Sequence, residues 1–209
     1  MIPFSQIISR VRTQHEAEST VRWTDHAIGQ AVNEGLEDFS EITRFYERHV
    51  TVPVVNLRNY YDTRGFLPET ALGVTSVWSS LTEDWLVPVD PRDLGSRWEH
   101  ATGPPRRVFM RGLFWMVVYP KPETTSGFLR VYFQGHAPYF THPQSVLRDL
   151  IDDYVPSLEE YALYDLAAQD AETTRALLHW NAYIAKTKEI ANFVERRTVK
   201  ARVLKMGSR

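Results

Sequence analysis

A chain of 209 residues, 43% apolar and 24% charged, can bury an ordinary core, as one large domain or as a domain carrying an insertion. It has no Cys, which excludes a disulfide framework and any thiolate metal site, and no apolar run approaches the roughly 18 to 20 residues that span a bilayer. The formal charge of -2 hides an asymmetry: from Arg196 onward there are six basic residues and no acid, against 18 basic and 26 acidic residues before it. An acidic body with a basic tail suggests a separate partner for the tail. Met1-Ile2-Pro3-Phe4-Ser5 lacks the basic start and apolar core of a signal peptide, so a soluble protein of a reducing cytoplasm is expected.

Ser5 is a candidate cap for a short first helix with Ile7, Ile8 and Val11 inside, and the polar stretch Thr13 to Val21 reads as a loop. Thr24 is a second N-cap candidate, with Asp25 placed to favour the helix dipole. Behind it Ile28, Ala31, Val32, Gly35, Leu36, Phe39, Ile42 and Tyr46 recur at three- and four-residue steps, an amphipathic helix. The pattern then becomes strand-like. Val50 to Val54 contains Pro53, which suits an edge strand. Tyr61 to Gly65 reads as a turn and Gly73 to Trp78 as a strand. Asp90-Pro91 is a helix-start pair, with a short helix expected near Arg92 to Glu99 that buries Leu94 and Trp98. Arg107 to Tyr119 reads as a hairpin broken at Arg111-Gly112, Pro120 and Pro122 end it, and Gly127 opens a last strand.

Helical signals return after Tyr139. Val146, Leu147, Leu150 and Ile151 allow a short helix, and Ser157-Leu158-Glu159-Glu160 fits a capping box. Leu177, Trp180, Ile184, Thr187, Ala191 and Val194 form a stripe, expected to pack a helix of about 20 to 25 residues against Leu36 and Phe39. The fold expected is α+β: a helical bundle built from both ends of the chain, residues 1–48 and 141–196, an inserted and mainly antiparallel β domain over 49–140, and a basic tail over 197–209.

Chemistry-bearing motifs are absent. The seven His are scattered, none at the i, i+4 spacing of a helical metal site, and there is no nucleophile elbow, phosphate loop or zinc-protease helix. No catalytic residue, metal or cofactor is expected. Asp149, Asp152, Asp153, Glu159 and Glu160 cluster as a glycosidase pair would, but also as acids at solvated helix starts do. Tyr60, Tyr61, Trp78, Trp85 and Trp115 suit either stacking on sugars or bases or packing in a small β domain. Two rival functions follow: a carbohydrate-binding or glycan-hydrolysing β module, and a DNA-binding protein using the basic tail.

An ordered series of motifs covers Val21 to Glu195. It runs Arg22-Trp23-Thr24-Asp25, Asn33-Glu34, Phe66-Leu67-Pro68, the valine-rich strand Val74 to Trp78, Trp98 before Gly103-Pro104, Pro120-Lys121-Pro122, Tyr132, and a Pro-led helix from Pro156 to Tyr161-Ala162-Leu163. In this series the chain resembles the head–tail connector, or adaptor, proteins of tailed double-stranded DNA bacteriophages. The resemblance implies a virion protein of the neck, made in the host cytoplasm and assembled as a ring, commonly of twelve, beneath the portal. Such a ring extends the DNA channel and gives the tail its docking surface, with no catalysis and no membrane. An acidic body would pass DNA without holding it. On this reading Arg196, Arg197, Val199, Lys200, Arg202, Val203 and Leu204 dock on the portal, from a tail that is disordered in the free subunit. The tail-side partner would meet the β domain at Tyr60, Tyr61, Arg64, Phe66, Lys121 and Thr124, in the loops Tyr60 to Phe66 and Lys121 to Gly127.

Overall fold

The computed structural model describes the backbone of residues 1–18 and 23–206 and the side chains of 1–16 and 23–196. The fold is α+β, with helices contributed by both ends of the chain and strands between them. It divides into two compact units, one of Met1–Tyr46 with His136–Arg209, the other of Glu47–Gly135.

The first unit holds helices α1 (Phe4–Glu18), α2 (Asp25–Thr43), α3 (Val155–Gln169) and α4 (Thr173–Met206). Thr24 caps α2, its hydroxyl accepting from the Ala27 N–H, and Ile28, Ala31, Val32, Leu36 and Phe39 face inward as their spacing requires. They meet Phe4, Ile7 and Val11 of α1 and Leu158, Ala162, Leu163 and Leu166 of α3 in one core. The segment after Gly135 is pinned to α2 by polar groups: the Asn33 amide donates to the Phe140 carbonyl (3.1 Å) and accepts from its N–H (2.9 Å). Ser40 Oγ accepts from the Ala137 N–H.

The Glu47–Gly135 unit holds β1 (Glu47–Pro53), β2 (Tyr60–Asp62), β3 (Ala71–Ser79), β4 (Asp84–Trp85), β5 (Val87–Pro88), β6 (Arg107–Arg111), β7 (Trp115–Tyr119) and β8 (Phe128–Gly135). They form two four-stranded sheets, ordered β1-β8-β3-β4 and β2-β7-β6-β5. Every pairing is antiparallel except β5 with β6. In β8 burial alternates strictly, Leu129, Val131, Phe133 and Gly135 being inside, as a half-covered strand demands. The all-apolar run of β7 is covered on both sides. Met116 and Val118 join Val52, Tyr61, Val77 and Val131 in one core, while Val117 joins Phe109 and Leu94 in another. Pro53 ends β1, which lies at a sheet edge. Glu47 at the start of β1 is paired in register with Gln134 near the end of β8.

Several local expectations fail for physical reasons. Thr13 to Glu18 is helix rather than loop, because His15 is buried and bonded to the far end of the same unit; 19–22 lie outside the described residues. Pro91 to His100 makes two separate 3-10 turns, Pro91–Asp93 and Trp98–His100, since Gly95 interrupts a segment too short to nucleate a helix. Leu147 to Ile151 makes turns, followed by a 3-10 turn at Asp152–Tyr154. There is no capping box at Ser157: α3 begins at Val155 with Pro156 in its first turn, and Ser157 is buried inside the helix. The buried residues of α4 are Ala176, His179, Tyr183 and Thr187, and Trp180, Ile184 and Val194 of the expected stripe pack against the same core, but Leu177 is 56% exposed. Its main partner is α3 rather than α2. Finally, α4 does not stop at Glu195 but runs 34 residues to Met206, where Ala, Leu, Arg and Lys continue without Gly or Pro.

Candidate docking surfaces

The titratable groups that most resemble chemistry are used as structure. His15 accepts a hydrogen bond at Nδ1 from Arg175 (2.8 Å), which leaves its Nε2–H facing Asp170 at 3.6 Å. The same carboxylate accepts from the Trp23 indole, and Arg12 reaches both the Trp23 carbonyl and Asp25. Glu160 on α3 holds two groups of α4, His179 at 2.9 Å and Lys186 at 2.7 Å. Burial pushes the Glu160 carboxyl up, but these two hydrogen bonds outweigh it and hold the group below the usual carboxylate range. Glu159 pairs with Arg10, and Asp152 with the N-terminal amine. Among the described residues no group of three or more His, Asp or Glu lies close enough to hold a metal ion. A shallow dent lined by Gln6, Ser9, Arg10 and Thr13 brings no base to either hydroxyl.

The aromatic residues of the β unit pack against one another at tilted or edge-on angles. Tyr60 meets Trp115 at 79° and Trp98 at 44°, and Trp85 meets Tyr132 at 45°. Rings inclined in this way do not make the flat platform on which a sugar or base stacks.

An apolar patch does reach solvent, at the β6–β7 turn. Gly112 adopts φ 66°, the left-handed conformation that closes a three-residue hairpin loop. Leu113 is 82% exposed, Phe114 44%, Trp115 40% and Met110 39%. The 3-10 turn Thr63–Gly65 buttresses this tip: the Thr63 N–H and hydroxyl donate to the Phe114 carbonyl, and the Arg64 guanidinium lies over the Phe114 ring at 4.9 Å. Arg64 is itself held by two bonds to Asp62, 2.7 and 2.9 Å. Arg111 donates to the Tyr60 hydroxyl (2.6 Å) and faces Glu99 at 3.7 Å.

The six tail-side residues named from the sequence do not form one patch. Tyr60 and Arg64 border the hairpin tip, Phe66 packs against the inter-sheet core, and Tyr61 is buried within it. Lys121 lies beyond the opposite end of β7, paired with Ala101 and Gly103, with the length of the strand, about 14 Å at 3.4 Å per residue, separating it from Trp115. Thr124 lies further along the same loop, bonded to Ser126. Leu113, Phe114 and Met110 went unnoticed, although two large apolar residues at a tight turn, where polar ones are the rule, are themselves a signal.

Of the seven portal-side candidates, Arg196 is exposed on α4. The side chains of Arg197, Val199, Lys200, Arg202, Val203 and Leu204 lie outside the described residues, on a backbone that continues α4. Residues 1–46 and 136–195 carry 17 acidic and 8 basic side chains, so this helix leads from an acidic unit into a basic end.

Residues 2–204 match the model of the SU10 adaptor protein family. The chain belongs to the SU10 adaptor family. It is a structural protein of a bacteriophage. No curated protein sequence matches this adaptor. Its motif residues are scaffolding: Trp23 and Thr24 fix the start of α2, Asn33 clamps the returning chain, and Trp98 fills the core beside Phe109. The conspicuous motif residues of this adaptor build the fold. No described helix is long and apolar enough to cross a membrane.

Proposed function

We propose that the adaptor assembles as a ring, of twelve copies on the family pattern, beneath the portal in the virion neck, from subunits made in the host cytoplasm. The ring extends the DNA channel and offers the tail its docking surface. Membership of the SU10 adaptor family over residues 2–204 carries this reading. Two features support it. The acidic helical unit suits a channel wall that repels phosphate, since a surface that grips DNA is rich in Lys and Arg. The basic end of α4, carrying Arg196, Arg197, Val199, Lys200, Arg202, Val203 and Leu204, suits docking on portal carboxylates and apolar notches.

The β unit is then the part that meets the tail, at the end bearing Tyr60, Arg64 and the β6–β7 tip. Electron microscopy tests the proposal directly. The purified protein should form rings, and virions labelled on it should carry the label at the neck. An adaptor deleted from Arg197 to the end should remain folded and leave filled heads without tails. A monomer that never associates with heads would refute the proposal.

A further inference from the structure

We propose that the β6–β7 hairpin tip, Leu113-Phe114-Trp115, is the apolar anchor by which the adaptor seats in a hydrophobic pocket of the tail-side neck protein. This rests on the adaptor-ring reading above. Leu113, Phe114 and Trp115 reach solvent in succession on a turn that the rest of the β unit holds in place, while Met110, paired with Met116, lies on the face of the hairpin opposite Trp115. The buttress is rigid: Thr63 donates twice to the Phe114 carbonyl, and Arg64 lies across the Phe114 ring. An anchor ordered before binding loses little freedom on docking, and buried aromatics beside Arg are the residues that dominate protein interfaces.

Charge identifies the occupant. Both arginines at the tip are already engaged, Arg64 by Asp62 and Arg111 by Glu99 and Tyr60. A nucleic-acid backbone would have to break these pairs, whereas an apolar protein pocket leaves them intact at its rim. Tip-to-tip contact would give a closed two-fold pair, not a ring, and a tip seated on a different patch of the neighbouring subunit would be needed for ring formation, which the test below reads separately. The partner surface is therefore apolar and uncharged, and its affinity should resist salt. The contact assigned to the basic end of α4 should instead weaken as the Debye length shrinks from about 8 Å at physiological salt to about 3 Å at 1 M.

The test joins filled, adaptor-bearing heads to purified tails of the same phage and counts tailed particles by electron microscopy. Leu113→Ser with Phe114→Ser should form rings and bind heads as the wild type does, while tail joining falls about 30-fold or more, the scale of a lost interface hot spot. Lys121→Ser with Thr124→Ala should join tails normally, and purified wild-type rings, free of heads, should bind tails equally well in 1 M salt. Leu113→Ser alone, at a position 82% exposed, keeps the test decisive should the double variant misfold. Normal tail joining by the tip variants overturns the proposal. So does loss of ring formation, which would give the tip to a second copy, or loss of head binding, which would give it to the portal. Wild-type protein that binds no heads would overturn the adaptor-ring reading and this proposal together.

Discussion

At Gly35 helix α2 comes so close to α3 that an added Cβ would lie 2.8 Å from the Tyr161 ring. Tyr161 cannot yield freely, since its ring is wedged against Tyr164 and Tyr183. In an open helix Gly→Ala gains up to about 1 kcal/mol; here Gly35→Ala should instead cost about 1–3 kcal/mol from overpacking, read as a lower urea midpoint. Glu160 sets an acid limit. The fold keeps its carboxylate below its ordinary range, so that contribution is complete near neutrality and drains once the pH falls below the unfolded value of about 4.3. Asp165, raised by its burial, works in the opposite sense. Glu160→Gln should therefore flatten the fall of the urea midpoint between pH 6 and pH 3, compared with wild type. Tyr161, pushed up by burial to about 12, sets a basic limit: stability is full below pH 10 and is lost above it, as unfolding frees the phenol to ionise.

At the scale of elements, α4 shows what the sequence could and could not convey. That it is a long helix was legible from its apolar spacing. Its inner face was legible only in part: Trp180, Ile184, Thr187 and Val194 could be placed, but Tyr183 and the polar His179, satisfied by Glu160, could not. A stripe drawn by apolar size at its first turn therefore chose Leu177 over Ala176. The measurable consequence is a contrast. Tyr183→Ala should cost about 3–5 kcal/mol, as truncation of a buried aromatic does, while Leu177→Ala should stay within about 0.5 kcal/mol. The first helix was cut short for a related reason, since His15 is held by a partner distant in sequence, Arg175. Length matters as well. At 1.5 Å per residue the 34 residues of α4 run about 51 Å, against about 22 Å for the 15 of α3. Truncation after Arg196 should accordingly lower the helical circular dichroism while leaving the melting temperature of the remainder unchanged.

At the scale of the whole molecule, the α+β class and the mainly antiparallel strand region were readable because their residue types change sharply near His49 and Tyr139. The tip of β6–β7 was not, since composition marks what packs more plainly than what waits for a partner. One pairing has a consequence for how such a protein diversifies. Glu47 faces Gln134 across β1 and β8, so the two ends of the β unit emerge side by side, about 5 Å apart at Cα. A single continuous stretch of coding sequence, residues 47–135, can thus be exchanged without moving either end of the junction. If the β unit meets the tail and the basic end of α4 the head, as proposed above, a phage that acquires a different cassette there would change the tail it accepts while its grip on the head is inherited intact.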